Sequence, residues 1–239
     1  MGKLSGSIFP GVLVLLSLAL SGCQTVPVDD LPKITIAPME EVAVQDQEWY
    51  IGELSDTPHP IPLVDRSKMR PELMRQAVPF VGNEAPGTII VDIDRRFLYF
   101  VEGRGLAIRY GIGVGRLGFS WRGVAEVGRK GVWPDWSPTS TMRRIIPNLP
   151  ARVAGGIDSP LGARALYLYQ NGQDILFRIH GTNEPWSIGE QVSSGCIRLL
   201  NEDIYDLYGR TKTGATVIVR NVRKFSVPAA KEPESASPS

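Results

Sequence analysis

His180-Gly181-Thr182-Asn183-Glu184-Pro185-Trp186-Ser187-Ile188-Gly189-Glu190-Gln191-Val192-Ser193-Ser194-Gly195-Cys196-Ile197-Arg198 is the most informative stretch of this chain. One histidine precedes one cysteine, with a small-residue turn, Ser193-Ser194-Gly195, directly ahead of the sulfur. A free thiol with a pKa of about 8.5 is only a few per cent thiolate at pH 7. A histidine within hydrogen-bond reach raises that fraction and can later hand the proton to a leaving amine. Gly195 lets the backbone approach a substrate closely.

Cysteine usage sharpens this reading. The chain has two cysteines, Cys23 and Cys196. Lys3, the apolar run from Ile8 to Leu20 and the small residues before Cys23 have the three parts of an export signal. The run is shorter than the about 20 apolar residues of a membrane span and is broken by Pro10 and Gly11. Leu20-Ser21-Gly22-Cys23 resembles a bacterial lipobox, so residues 1–22 are expected to be cleaved and Cys23 to carry the lipid. Gln24 after it resembles an outer-membrane address in a Gram-negative periplasm. Cys196 is then a lone thiol in an oxidising compartment, either buried and inert or reactive, and its place after Ser-Ser-Gly and ahead of a predicted helix favours the reactive case.

Charge is uneven along the chain. Residues 24–65 hold nine acidic groups against Lys33 alone, and residues 66–226 hold 23 Lys/Arg against 14 Asp/Glu, a net of +9. A basic domain suits an anionic polymer; nucleic acid is argued against by export and by the lack of a clustered basic stripe.

The acidic segment 23–65 contains six prolines from Pro27 to Pro62 and reads as an extended tether with short ordering around Trp49 and Tyr50. His59 falls in it, leaving His180 as the base of the folded domain. Residues 66–85 read as a lead-in with one helix interrupted at Pro71, and 225–239 as a disordered tail. Between them, 86–224 is mainly strand. Thr88–Ile93 and Phe97–Val101 predict a hairpin, followed by strands over 107–114, 125–128, 165–169, 175–179 and 216–219. One helix is predicted at Glu202–Arg210, capped by Asn201, with Ile204, Leu207 and Tyr208 on one face. Its N-terminus would lower the thiol pKa of the preceding Cys196 and could receive an oxyanion.

The order His180, then Ser193-Ser194-Gly195-Cys196-Ile197-Arg198 and a nearby Asn201, resembles the signature of the YkuD-type L,D-transpeptidase catalytic domain. The resemblance covers about residues 86–222 and implies a compact, β-sandwich-like domain. It implies that Cys196 attacks the carbonyl before the terminal D-Ala of a peptidoglycan tetrapeptide stem. His180, oriented by the main-chain carbonyl of Gly181, is the implied base. The thioester then passes to an amine, either the diaminopimelate of another stem or a protein terminus. Ser194, Gly195 and Arg198 are the implied support for substrate and oxyanion. Many members have His where this chain has Ser194, which would alter the acceptor groove. Trp133–Thr139 and Pro160–Leu166 resemble substrate-side loops, the first a lid, a binding wall or plain packing.

Other chemistries fit less well. One His and one Cys fall short of a zinc set, and no phosphate-binding Gly-x4-Gly-Lys-Ser/Thr loop is present. Gly111-x-Gly113-x-Gly115 reads as a glycine-rich strand end. No metal or cofactor is implied. The alternatives to transpeptidation are an L,D-carboxypeptidase, in which water resolves the thioester, and a non-catalytic peptidoglycan-binding lipoprotein.

Overall fold

The structure is a computed structural model, and it describes residues 47–115, 121–146, 148–193 and 195–220. The expected signal segment with Cys23, the tether up to residue 46, Ser194 and the tail 225–239 lie outside these residues.

Alternating and continuous apolar runs rich in Val, Ile, Leu and aromatics build one nine-stranded sheet. In chain order its strands are β3 (Gln76–Pro79), β4 (Ile89–Asp92), β5 (Phe97–Gly103), β6 (Leu106–Gly111), β8 (Gly123–Val132), β9 (Arg164–Gln170), β10 (Gln173–His180), β12 (Ile197–Arg198) and β13 (Thr216–Arg220). In space they run β12-β10-β9-β8-β13-β4-β5-β6-β3. Two short strands, β7 (Val114–Gly115) and β11 (Gln191–Ser193), pair in parallel. The predicted β4–β5 hairpin forms with Asp92 opposite Phe97.

The sheet curls back on itself. Gly113, just after β6 near one end, exchanges two 2.9 Å main-chain hydrogen bonds with Arg198 on β12 at the other. One core results, joining Ile89, Leu98, Tyr110 and Ile112 to Leu166, Ile179 and Ile197. The close approach explains the glycines. A Cβ on Gly111 would stand 2.3 Å from the Leu73 carbonyl oxygen, and one on Gly113 would stand 2.6 Å from that of Ser187.

The predicted helix is present as α2 (Asn201–Arg210), after a short α1 (Ser140–Ile145) inside the aromatic-loop region. Ile204 and Leu207 of α2 enter the core. At its last turn Lys130 Nζ donates to the carbonyls of Tyr208 (2.7 Å) and Thr211 (2.6 Å), placing a cation where free carbonyls gather.

Two expectations change. The tether does not extend to residue 65: Tyr50–Leu54 (β1) and Ile61–Val64 (β2) form an antiparallel hairpin folded onto the domain. Its acidic composition hid an anchor. Asp56 takes both forks of the Arg164 guanidinium, at 2.7 and 2.6 Å, and accepts the Trp133 indole N–H at 2.8 Å. Arg164 holds the Asp56 carboxyl below its ordinary pKa. The lead-in is not an interrupted helix; it forms two 3-10 turns, Arg66–Lys68 and Pro71–Leu73, and then β3. Pro71 starts the second turn, where its missing N–H goes unneeded.

The Asp56–Arg164 pair is almost wholly buried, so removing one partner strands a charge. Asp56→Ala is expected to lower unfolding free energy by about 3–5 kcal/mol in urea titration. A loss under about 1 kcal/mol would contradict the anchoring role.

Candidate active site

His180 is the last residue of β10, and Cys196 stands one residue ahead of β12. The two strands run parallel, with Ile179 opposite Ile197 and His180 opposite Arg198. The Leu199 N–H closes the ladder on the His180 carbonyl at 2.8 Å. Ile179 and Ile197 face the core, so alternation sends His180 and Arg198 to the other face, together with Arg178. With strands about 4.8 Å apart and a rise of about 3.3 Å per residue, the Cα atoms of His180 and Cys196 are about 8 Å apart.

The imidazole has a defined tautomer. Nδ1 lies 2.5 Å from the Gly181 carbonyl oxygen, as the resemblance implied. A carbonyl can only accept, so Nδ1 carries the hydrogen and Nε2 keeps its lone pair. The ring is buried rather than open at a rim. Burial first, then the positive charge of Arg198, hold its pKa down to about 3 despite the stabilising Gly181 contact. It is therefore neutral at pH 7.

Cys196 is partly exposed. Contrary to expectation, its thiol pKa is pushed up, because burial outweighs the groups that favour a thiolate. Those groups are the Arg178 main-chain N–H, which donates to the sulfur, and the charges of Arg178 and Arg198. Helix α2 begins only after β12, so the strand next to the sulfur acts where the helix end was expected to. Gly195 has φ +131°, a conformation that side-chain-bearing residues rarely adopt.

Arg198 is fixed twice, by its main chain to Gly113 and by its guanidinium to Glu184. The connection between the strands is pinned. Gly189 N–H donates to the Ile112 carbonyl (3.0 Å), Arg96 to the Gly189 carbonyl (2.7 Å), and β11 pairs with β7.

Asn201 does not cap α2; Leu200 holds that position without a side-chain bond. The buried Asn201 amide accepts from Ala163 N–H and donates to the Thr182 carbonyl, both at 2.9 Å. It ties Pro160–Leu166 to the segment after His180. Trp133 is buried against the hairpin, and Trp136 bridges Val153, so that part of the aromatic loop is packing.

Residues 86–219 match the YkuD model, described as the L,D-transpeptidase catalytic domain. The chain belongs to this family. The probable L,D-transpeptidase YbiS of Escherichia coli K12 is 38% identical over 139 residues, 55% of this chain and 43% of YbiS. The chain thus spans under half the length of that relative. A crystal structure from Brucella melitensis, described as a probable carnitine operon oxidoreductase, is 42% identical, covers 65% of this chain and 99% of its own, and has a TM-score of 0.44. An L,D-transpeptidase from Mycobacterium smegmatis is 21% identical, covers 57% of this chain and 59% of its own, and also has a TM-score of 0.44.

Two predictions follow from this family site. An unfolded histidine has a pKa of about 6.5, so between that value and about 3 the unfolded chain binds the extra proton. Stability therefore rises with pH across the window. Urea unfolding at stepped pH should show a shallower slope for His180→Gln; parallel curves would contradict a buried neutral imidazole. Asn201→Ala should cost about 2–4 kcal/mol by leaving two buried main-chain groups unpaired, and a change within about 0.5 kcal/mol would refute the tie.

Proposed function

We propose that this chain is a peptidoglycan L,D-transpeptidase in which Cys196 is the nucleophile and His180 the general base. The observation that carries the reading is the parallel pairing of β10 with β12, which brings the strand ending in His180 beside the strand that Cys196 leads into.

The resting pair is a neutral thiol and a neutral imidazole. When the stem carbonyl before the terminal D-Ala arrives, the sulfur attacks it as its proton moves to Nε2. The buried imidazolium so formed is unfavourable beside Arg178 and Arg198. It therefore returns the proton readily to the departing D-Ala amine, leaving a thioester on Cys196. The same arginines favour the thiolate and the anionic tetrahedral intermediate. Main-chain N–H groups of the Ser194–Gly195 turn are the proposed oxyanion donors, each worth about 3 kcal/mol. An acceptor amine then gives its proton to Nε2, attacks the thioester and restores the thiol. Gly181 keeps Nε2 as the acceptor throughout. Arg198 serves as a positioning residue that fixes the turn.

The acceptor is proposed to be an amine of a second stem or of a protein terminus. The protein is proposed to be exported and held at the outer membrane of a Gram-negative cell by lipid on Cys23, with the residues before the hairpin as the spacer.

Incubation with purified tetrapeptide muropeptides should give cross-linked dimers lacking one D-Ala, detected by mass spectrometry. Cys196→Ala should lose all product and all acylation by a carbapenem while keeping its circular dichroism. Trimmed stems without dimers would replace transfer by hydrolysis, and labelling of Cys196→Ala would remove Cys196 as the nucleophile.

A further inference from the structure

The connection from β8 to β9 carries the two stretches that resemble substrate-side loops, and its two feet, Trp133 and Arg164, meet at one side chain. Asp56, in the turn of the β1–β2 hairpin, accepts the Trp133 indole N–H at 2.8 Å and both forks of the Arg164 guanidinium at 2.7 and 2.6 Å. The carboxylate is 10% exposed and the guanidinium side chain 7%. The feet are also joined directly. Trp133 N–H donates to the Ala163 carbonyl at 2.8 Å, and Arg164 Nη1 donates to the same carbonyl at 2.8 Å. The hairpin lies outside the residues that match the family model, 86–219, so this carboxylate reaches the catalytic domain from beyond it.

From that base the path to the imidazole runs through one residue. Gly181 N–H donates to the Arg164 carbonyl at 3.0 Å, and the Gly181 carbonyl accepts from His180 Nδ1 at 2.5 Å. Strand pairing fixes His180 itself, opposite Ala165, but β10 ends there and the ladder does not reach Gly181. A glycine beyond a strand end turns freely about its main-chain bonds unless its neighbours hold it. Here a Cβ would stand 2.2 Å from Asn201 Oδ1, so a side chain is excluded and contacts alone orient the peptide. Those contacts are the Arg164 carbonyl before it and, after it, the bond from Asn201 to the Thr182 carbonyl. Asn201 in turn takes the Ala163 N–H, so both supports rest on Ala163 and Arg164.

We infer that Asp56 is a positioning residue for the proposed base, His180, acting through Arg164 and Gly181. The inference rests on the transpeptidase reading and adds to it a residue from the hairpin. Loss of the carboxylate leaves Arg164 buried without its counter-charge, which drives the guanidinium towards water. The feet of the connection then part, the Arg164 carbonyl moves, and Gly181 swings its own carbonyl away from Nδ1. An imidazole so released can carry its hydrogen on either nitrogen. The form with hydrogen on Nε2 cannot take the thiol proton there.

The test compares the full chain with its Asp56→Asn and Val217→Ala variants, by carbapenem acylation at stepped pH and by the NMR signal of the His180 Nδ1–H proton. Thiol and imidazole both rest neutral, so the wild-type acylation rate should be flat from about pH 5 to about pH 8. Asp56→Asn should acylate about a hundredfold more slowly at about pH 6, within what general-base catalysis supplies. Its deficit should narrow about tenfold per pH unit, because the thiolate must then form unaided. Its Nδ1–H signal should be lost to solvent exchange. Val217→Ala, a core truncation on β13 away from this network, should lower the melting temperature and leave both readouts unchanged. Should Asp56→Asn unfold, Arg164→Lys, which keeps the charges paired and loses the fork, should show the same two changes. Should both unfold, amide exchange of the wild-type chain in mild urea decides, with Gly181 N–H expected to exchange together with the hairpin amides. The inference is overturned by a wild-type rate and an intact Nδ1–H signal in Asp56→Asn or Arg164→Lys, by equal changes in Val217→Ala, or by Gly181 staying protected after the hairpin opens. A wild-type chain that no carbapenem acylates would instead overturn the transpeptidase reading, and the Nδ1–H comparison would still decide the positioning.

Discussion

The two-residue parallel ladder between β10 and β12 is the constraint on which the rest of the site depends. It is short, and parallel pairing is slightly weaker per residue than antiparallel, so it needs support from both sides. On one side β9 pairs with β10, placing Ala165 opposite His180. On the other, Gly113 closes onto Arg198, at the cost that neither Gly111 nor Gly113 can carry a side chain. The core face of the same ladder is Ile179 and Ile197, so one register decision sets both hydrophobic burial and the place of His180 beside the strand that Cys196 leads into. A slip by one residue would turn the side chains of β12 to the other face of the sheet.

Electrostatics at the site work against a preformed ion pair. Burial lowers the imidazole pKa and raises that of the thiol, and the arginine charges push the histidine further down. Neutral partners follow, with charge appearing only as the substrate reacts. That arrangement differs from a standing thiolate, and it keeps the thiol less prone to oxidation, since oxidation follows thiolate character. The strand N–H of Arg178 and the guanidiniums of Arg178 and Arg198 meet the charge when it forms.

Much of this was legible in the sequence, because the signals were local. Strand-forming runs, the small residues before Cys196 and the i, i+3 pattern of Ile204 and Leu207 each report on a few neighbouring residues. The Gly181 carbonyl also stands where the family resemblance implied. What escaped is long-range. Asp56 meets Arg164 across 108 residues, and nothing near Asp56 distinguishes it from other acids of a proline-rich segment. Arg178 lies opposite Cys196 through parallel register, which no local pattern encodes. Asn201 has the residue type and place of a helix cap, yet its amide serves the Ala163 and Thr182 main chains. The β1–β2 hairpin itself was invisible while its residues were read as tether.

The central claim is that sulfur 196 carries the stem between donor and acceptor. Intact-mass analysis and peptide mapping after brief exposure of the protein to a tetrapeptide stem tests it most directly. The account predicts a transient adduct of the stem minus D-alanine on the Cys196 peptide, which disappears when an amine is added. Product formation with the adduct on any other residue would contradict it.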